Sequence, residues 1–255
     1  MEKEIVFYQK KESVAIVTLN RASSKNAINT QLVVEFEDIL DEISIERDVK
    51  VVIITGKETF SAGTDREAFS SFDRKEEPIR SLSVSTIVDA FDRPTIAAIN
   101  GDALGQGLEL ALACDLRICT ETAHFAMNHI TYGGIPWDGG TQRLSRLAGR
   151  GKAMEMTLTG KVIDAQEAHH IGIVHRVVPY EELSTVAMDM ARKMASKGPL
   201  ALRYAKETIN NGMDLTLEQG LRLEADLYFL LHTTGDRTEG IKAFREKRPP
   251  RFKGR

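Results

Sequence analysis

Residues Pro94 to Asp115 read PTIAAINGDALGQGLELALACD. The stretch opens on an apolar run, Thr95-Ile96-Ala97-Ala98-Ile99, short enough for a buried strand. Asn100-Gly101 breaks the run, the chain turns through Ala103 to Gly107, and an Ala/Leu-rich helix follows. A strand that feeds a glycine turn and then a helix aims backbone N–H groups into one small volume. Such donors suit an oxygen that gains negative charge. One acid, Glu109, sits just inside the otherwise apolar helix. Residue type alone leaves two readings open: an acid turned to water, or an acid held in the core for proton chemistry.

The flanking segments place this stretch in a longer alternation. Ile5 to Leu19 reads as two short strands around the charged turn Lys10-Lys11-Glu12, the second buried on both faces. Asn20 to Asn29 is a polar loop, and Thr30 is positioned to cap a helix whose apolar face is Leu32, Val33, Phe36, Ile39, Leu40 and Ile43. Val51 to Thr55 is a continuous apolar strand, so strand, helix and strand make a crossover unit. Phe60 to Asp65 is a loop of small residues, Arg66 to Glu77 is polar and charged, and Ile79 to Phe91 reads as a helix that stops before Pro94. Leu116–Thr120 and His124–Met127 read as strands, Gly139–Ala148, Lys152–Leu158 and Ala165–His170 as helices, and Ile173–Val178 as a strand. After Pro179 every segment is helical in period. A soft boundary at Lys197-Gly198-Pro199 divides the chain into residues 1–197 and 198–255.

Bulk properties narrow the function. The chain has 255 residues, 42% hydrophobic and 28% charged, an ordinary balance for a globular enzyme. A net charge of −3 supplies no basic field for nucleic acid, and no apolar run approaches a membrane span. The N-terminus has acids and no apolar h-region, which fits neither a secretory signal nor a transit peptide. The two cysteines, Cys114 and Cys119, give no disulfide framework and fit a reducing cytoplasm. The histidines lack metal-ligand spacing, and no serine nucleophile elbow, phosphate loop or dinucleotide fingerprint is present.

The organising stretch resembles the signature of the crotonase superfamily, the enoyl-CoA hydratases and isomerases: P-hydrophobic-A-A-hydrophobic-N-G-x-A-x-G-G-G-x-E-hydrophobic-A-x-x-C-D. The resemblance extends over nearly the whole chain, through Lys25-Asn26-Ala27-Ile28-Asn29, Phe60-Ser61-Ala62-Gly63-Thr64-Asp65, Gly139-Gly140-Thr141-Gln142-Arg143-Leu144 and Ala243-Phe244-Arg245-Glu246-Lys247-Arg248. It implies an α/β fold, a crotonase-like spiral of ββα units over residues 1–197 followed by a C-terminal helical oligomerisation segment over 198–255. It implies an acyl-CoA thioester substrate and a homotrimer or homohexamer. Charge, apolar-run length and histidine spacing lead to the expectation of no nucleic acid, no membrane and no metal, and the resemblance implies no cofactor beyond the coenzyme A that the substrate carries.

Position by position, the resemblance gives Thr64 and Gln106 the oxyanion-hole backbone N–H groups. Where Gln106 stands the family has glycine, so its side chain is expected to crowd the acyl group. Glu109 matches the first of the two glutamates of the hydratases. The second belongs twenty positions later, where this chain has His129. Nearby, the family's I-P-G-x-G-G becomes Ile135-Pro136-Trp137-Asp138-Gly139-Gly140. Asp138 is open to two readings, the N-cap of the helix that follows or a replacement acid; Trp137 is either core or a flat wall for the acyl group. Ala27, Ala62 and Asp65 match contacts to coenzyme A, and Phe244 and Lys247 match an aromatic and a basic residue that meet the nucleotide. The family's loop lysine is replaced by Ser23, with Lys25 or Arg21 near enough to compensate. The resulting expectation is an enoyl-CoA hydratase in which Glu109 and His129 share the work, with Asp138 in support. Its rivals are a double-bond isomerase or a thioester or ring-ketone hydrolase on the same scaffold, and a non-catalytic RNA- or partner-binding homologue.

Overall fold

The computed structural model describes residues 4–67 and 82–255. Most of the charged stretch after Arg66 and the start of the helix expected from Ile79 lie outside the described residues. Strands β1 (Val6–Lys11) and β2 (Val14–Leu19) pair antiparallel around a turn at Glu12. In chain order there follow β3 (Val51–Gly56), β4 (Thr95–Ile99), β5 (Ala103–Leu104), β6 (Leu116–Thr120), β7 (His124–Ala126), β8 (Val162–Asp164) and β9 (Arg176–Val178). The large sheet runs β1-β2-β3-β4-β6-β9 and is parallel from β2 onward. Every residue of its central strand β4 is buried, as a parallel strand covered on both faces requires.

A second layer consists of β5, β7 and β8, extended by single bridges between Ile28 and Thr64 and between Ser61 and Ala103. The chain therefore repeats one sequence of moves: a strand in the large sheet, a short second-layer strand or bridge, then a helix. The repeats are β2, Ile28 and α1 (Thr30–Ile45); β3, Ser61–Thr64 and, further on, α2 (Val84–Ala90); β4, β5 and α3 (Gln106–Ala113); β6, β7 and α4 (Gly140–Thr159). Helices α1 and α3 thus begin directly after the second layer, which sets their N-termini against that layer.

Local details differ from the sequence expectations. The N-cap of α1 is Asn29, whose side chain accepts from the Leu32 N–H at 2.9 Å, not Thr30. The two helices expected over 139–148 and 152–158 form one element, α4, interrupted at Gly149 with φ 76° and ψ 159°. The last strand begins at Arg176 rather than Ile173.

Helix α5 (Ala165–His170) is capped by Asp164, and α6 (Leu183–Ala195) closes the free face of the large sheet through Leu183, Ala187, Met188 and Ala191. Beyond it lie α7 (Pro199–Gly212), α8 (Leu217–His232) and α9 (Gly235–Arg245). On α8, Leu227 is buried, whereas Leu217 and Leu221 are 80% and 57% exposed. Phe229 and Phe244 add to this uncovered apolar surface. No helix among the described residues is long and apolar enough to cross a membrane.

The helix that carries the site, α3, is fixed at its C-terminal end by a buried cation. Arg117 donates to the Ala111 and Cys114 carbonyls, and its Nε donates to the Ile173 carbonyl at 2.6 Å. A helix end leaves carbonyls without intrahelical donors, and a cation is favoured there. Burial lowers the pKa of Arg117 from its usual value, yet a guanidinium remains charged at any physiological pH. Arg117→Met should lower the unfolding free energy by about 2–4 kcal/mol, because it strands buried acceptors. Denaturant unfolding checks this, and Arg117→Lys should recover only part of the loss, since an ammonium cannot reproduce the fork.

Candidate active site

The turn into α3 depends on glycine. Gly105 adopts φ 51° and ψ −121°, and a Cβ there would lie 3.0 Å from Asn128 Oδ1 and against the His129 ring. Gln106 is the first helical residue, so its N–H has no acceptor within the helix. Gly63, at φ 94°, packs directly against it: a Cβ on Gly63 would stand 3.2 Å from Gln106 N and 2.6 Å from the Leu104 carbonyl. The bridge to Ile28 uses the Gly63 carbonyl and the Asp65 N–H, which turns the N–H of Thr64 to the opposite side. Neither the Thr64 nor the Gln106 N–H has an acceptor among the described residues.

One turn into α3, Glu109 is fully buried. Its Oε1 accepts from the backbone N–H groups of Asp138, at 2.9 Å, and Gly140, at 2.8 Å. Gly140 must be glycine for this approach, since a Cβ would fall 2.8 Å from that same oxygen. The other oxygen, Oε2, is 3.2 Å from His129 Nε2. That is ion-pair distance, but the approach lies off any hydrogen-bond direction. Oε2 and both ring nitrogens of His129 are therefore buried polar atoms without a hydrogen-bond partner among the described residues. Orphans of this kind are rare in native proteins and concentrate where chemistry is done.

Asp138 departs from the helix-cap reading. The N-cap of α4 is Gly139, and no side chain caps that helix. The Asp138 carboxylate instead serves the start of α2: Oδ1 accepts from Ser83 Oγ at 2.6 Å and Oδ2 from the Ser85 N–H at 3.1 Å. Oδ2 also accepts from Gln106 Nε2 at 3.1 Å. Burial pushes the Asp138 carboxyl above its ordinary value, and the charge of Glu109 adds to the rise; the three donors offset only part of it. The Gln106 side chain, expected against the acyl group, is fully buried and makes its polar contacts with protein: Asp138, the Leu82 carbonyl and Thr64. Trp137 is half-buried, so it is not a core residue.

The residues matched to coenzyme A fall into two groups. Near Thr64, Ala62 N donates to the Lys25 carbonyl at 2.9 Å, and Lys25 is exposed. Arg21 pairs with Asp65 at 2.7 Å and donates to the Ala27 carbonyl, which commits its charge and leaves Lys25 as the cation on this loop. Phe244 lies on α9 and Lys247 just beyond its end, and α9 packs on α8. Among the described residues no group of three His, Cys, Asp or Glu side chains is placed to hold a metal. The partners of Asp138 in α2 and the capping role of Arg117 had no counterpart in the sequence reading.

Comparison with known proteins places these features in context. The profile of the enoyl-CoA hydratase/isomerase family matches residues 9–255. The chain is 37% identical to a crotonyl-CoA hydratase of Syntrophomonas wolfei, with 99% of each chain covered. It is 39% identical to a 2,3-dehydroadipyl-CoA hydratase of Escherichia coli, covering 96% of this chain and 97% of that one. A crystal structure of an enoyl-CoA hydratase from Bacillus anthracis superposes with a TM-score of 0.95 at 40% identity, covering 99% of this chain and 100% of that one.

The Asp138 shift has a stability consequence. A carboxyl whose folded pKa lies above its unfolded value holds its proton more tightly when folded. Its contribution is therefore fully present below the unfolded value, near 3.8, and is lost as pH rises through the raised folded one. Asp138→Asn has no such dependence. The stability advantage of the wild type over Asp138→Asn should accordingly shrink as pH rises above about 4, as read from urea unfolding of both proteins over a pH series.

Proposed function

The chain belongs to the enoyl-CoA hydratase/isomerase family, and from that premise we propose that it adds water across the 2,3-double bond of an enoyl-CoA, or removes it, through a thioester enolate. The observation that carries the reading is the juxtaposition of orphans. Among the described residues, Glu109 Oε2 and both nitrogens of His129 lack hydrogen-bond partners, beside the turn whose Gln106 N–H lacks an acceptor. The Thr64 and Gln106 N–H groups receive the thioester oxygen as it gains charge; losing one such donor typically costs about 2.7–4 kcal/mol of transition-state stabilisation. Glu109 and His129 handle the protons. One accepts a proton from water as the water oxygen bonds to C3, the electron pair of the double bond moves toward C2 and the carbonyl, and the other delivers a proton to C2. A neutral imidazole accepts at one nitrogen and donates at the other, so His129 can stand in for a second carboxylate.

Coenzyme A enters only as part of the substrate in this reading. The exposed Lys25 and the backbone around Ala27 and Ala62 suit its pantetheine and phosphates. Phe244 and Lys247, at the end of the C-terminal helices, meet the nucleotide across a subunit boundary. The uncovered apolar surface of α8 and α9 supplies that boundary in a homotrimer, or in a hexamer of two trimers.

Two tests follow from this reading. Incubation with linear, branched and cyclic enoyl-CoAs, followed by mass spectrometry, should detect addition of water to at least one. On that substrate Glu109→Gln should cut turnover by about 100-fold or more while acyl-CoA affinity stays within a few-fold. His129→Glu should move the pH dependence of kcat, and His129→Ala should lower kcat; an unaltered pH profile in both would reduce His129 to a wall of the pocket. Separately, light scattering at micromolar concentration should give the mass of a trimer or hexamer, and a monomer mass would refute the assembly.

A further inference from the structure

We propose that the buried Gln106 amide and the Asp138 carboxylate form a brace that holds the two oxyanion N–H groups in register with Glu109, which makes both side chains positioning residues. This rests on the enolate reading of the site. The connections close on themselves. Thr64 Oγ1 donates to Gln106 Oε1 at 2.9 Å, so the two residues that offer N–H groups are also tied side chain to side chain. Gln106 Nε2 donates to Asp138 Oδ2, and the backbone N–H of Asp138 donates to Glu109 Oε1. Glu109 lies on the same face of α3 as Gln106, three residues on. The Gln106 amide direction is fixed by chemistry: Nε2 faces two acceptors, the Leu82 carbonyl and Asp138, while Oε1 faces a hydroxyl donor.

Asp138 is oriented for holding, not for proton transfer. Three protein donors, Ser83 Oγ, the Ser85 N–H and Gln106 Nε2, occupy its two oxygens. It reaches Glu109 only through its backbone, at the oxygen opposite the one that faces His129. A fully connected buried network of this kind fixes geometry because each broken link strands a polar group. Glycine at position 106 could make neither the Thr64 nor the Asp138 link.

The test reads carbonyl polarisation directly. The probe is 4-dimethylaminocinnamoyl-CoA, a push–pull enoyl thioester whose absorption moves to longer wavelength as its carbonyl oxygen is drawn into hydrogen bonds. Bound to the wild type it should be red-shifted. Gln106→Met and Asp138→Asn, which nearly conserve volume, should each lose most of that shift while affinity changes by less than about fivefold, and the double variant should be no worse than the poorer single one. Thr64→Val removes only the hydroxyl of a half-buried residue and keeps the N–H. With an unchanged melting temperature it should still reduce the shift, which covers the case where a buried variant folds poorly. A shifted wild-type spectrum that all three single variants retain overturns the brace alone. An unshifted wild-type spectrum overturns the oxyanion reading and the brace with it.

Discussion

Glu109 is a carboxylate with no exposed surface and, among the described residues, no lysine or arginine paired with it; two backbone N–H groups hold one of its oxygens. Burying a charge is costly unless it is hydrogen-bonded, and backbone donors at the mouth of a helix satisfy it without contributing a titratable partner. The rest of the site is arranged around that demand. Gly139 and Gly140 open the chain enough for both N–H groups to face one oxygen, and a side chain at Gly140 would collide with it. Because the donors engage Oε1, Oε2 is left facing His129 with no hydrogen-bond donor on it among the described residues.

The fold meets the same demand from the other side. Each unit of the chain places a short second-layer strand before a helix, so that the turn at Gly105 and the loop at Gly63 approach within van der Waals contact. Two N–H groups that are forty-two residues apart in sequence, on Thr64 and Gln106, are thereby offered near one acid. Arg117 anchors the far end of α3. The short helix that carries both Gln106 and Glu109 is therefore held at both ends, and the relative positions of acid and donors are set by the fold.

What the sequence made legible was local. The glycine turn, Glu109 one turn inside the helix and the small residues before Thr64 are contiguous features whose backbone requirements follow from residue type. The replacement of an acid by His129 was legible against the family pattern. What escaped was set by contacts across the chain. Asp138 sits where a cap of its own helix is expected, yet it caps a helix that begins more than fifty residues earlier, beside Ser83; a rule based on sequence neighbours has no access to such a partner. The direction of the Gln106 side chain depended likewise on Leu82 and Asp138, neither of which is near it in sequence. Asn29 and Thr30 are both good caps one position apart, and their choice rests on dihedral angles that composition does not encode.

The central claim is that Glu109, with His129, exchanges a proton at C2 and water at C3 of a coenzyme A thioester. A panel of 3-hydroxyacyl-CoAs incubated in water labelled with deuterium and heavy oxygen tests it most directly, because reversible loss and return of water writes both labels into the recovered starting material. The account predicts that mass spectrometry finds deuterium at C2 and heavy oxygen at C3 entering together with the wild type, and neither with Glu109→Gln. Deuterium without heavy oxygen would mean enolate chemistry that does not move water. Entry of neither label, across linear, branched and cyclic chains, would contradict the account.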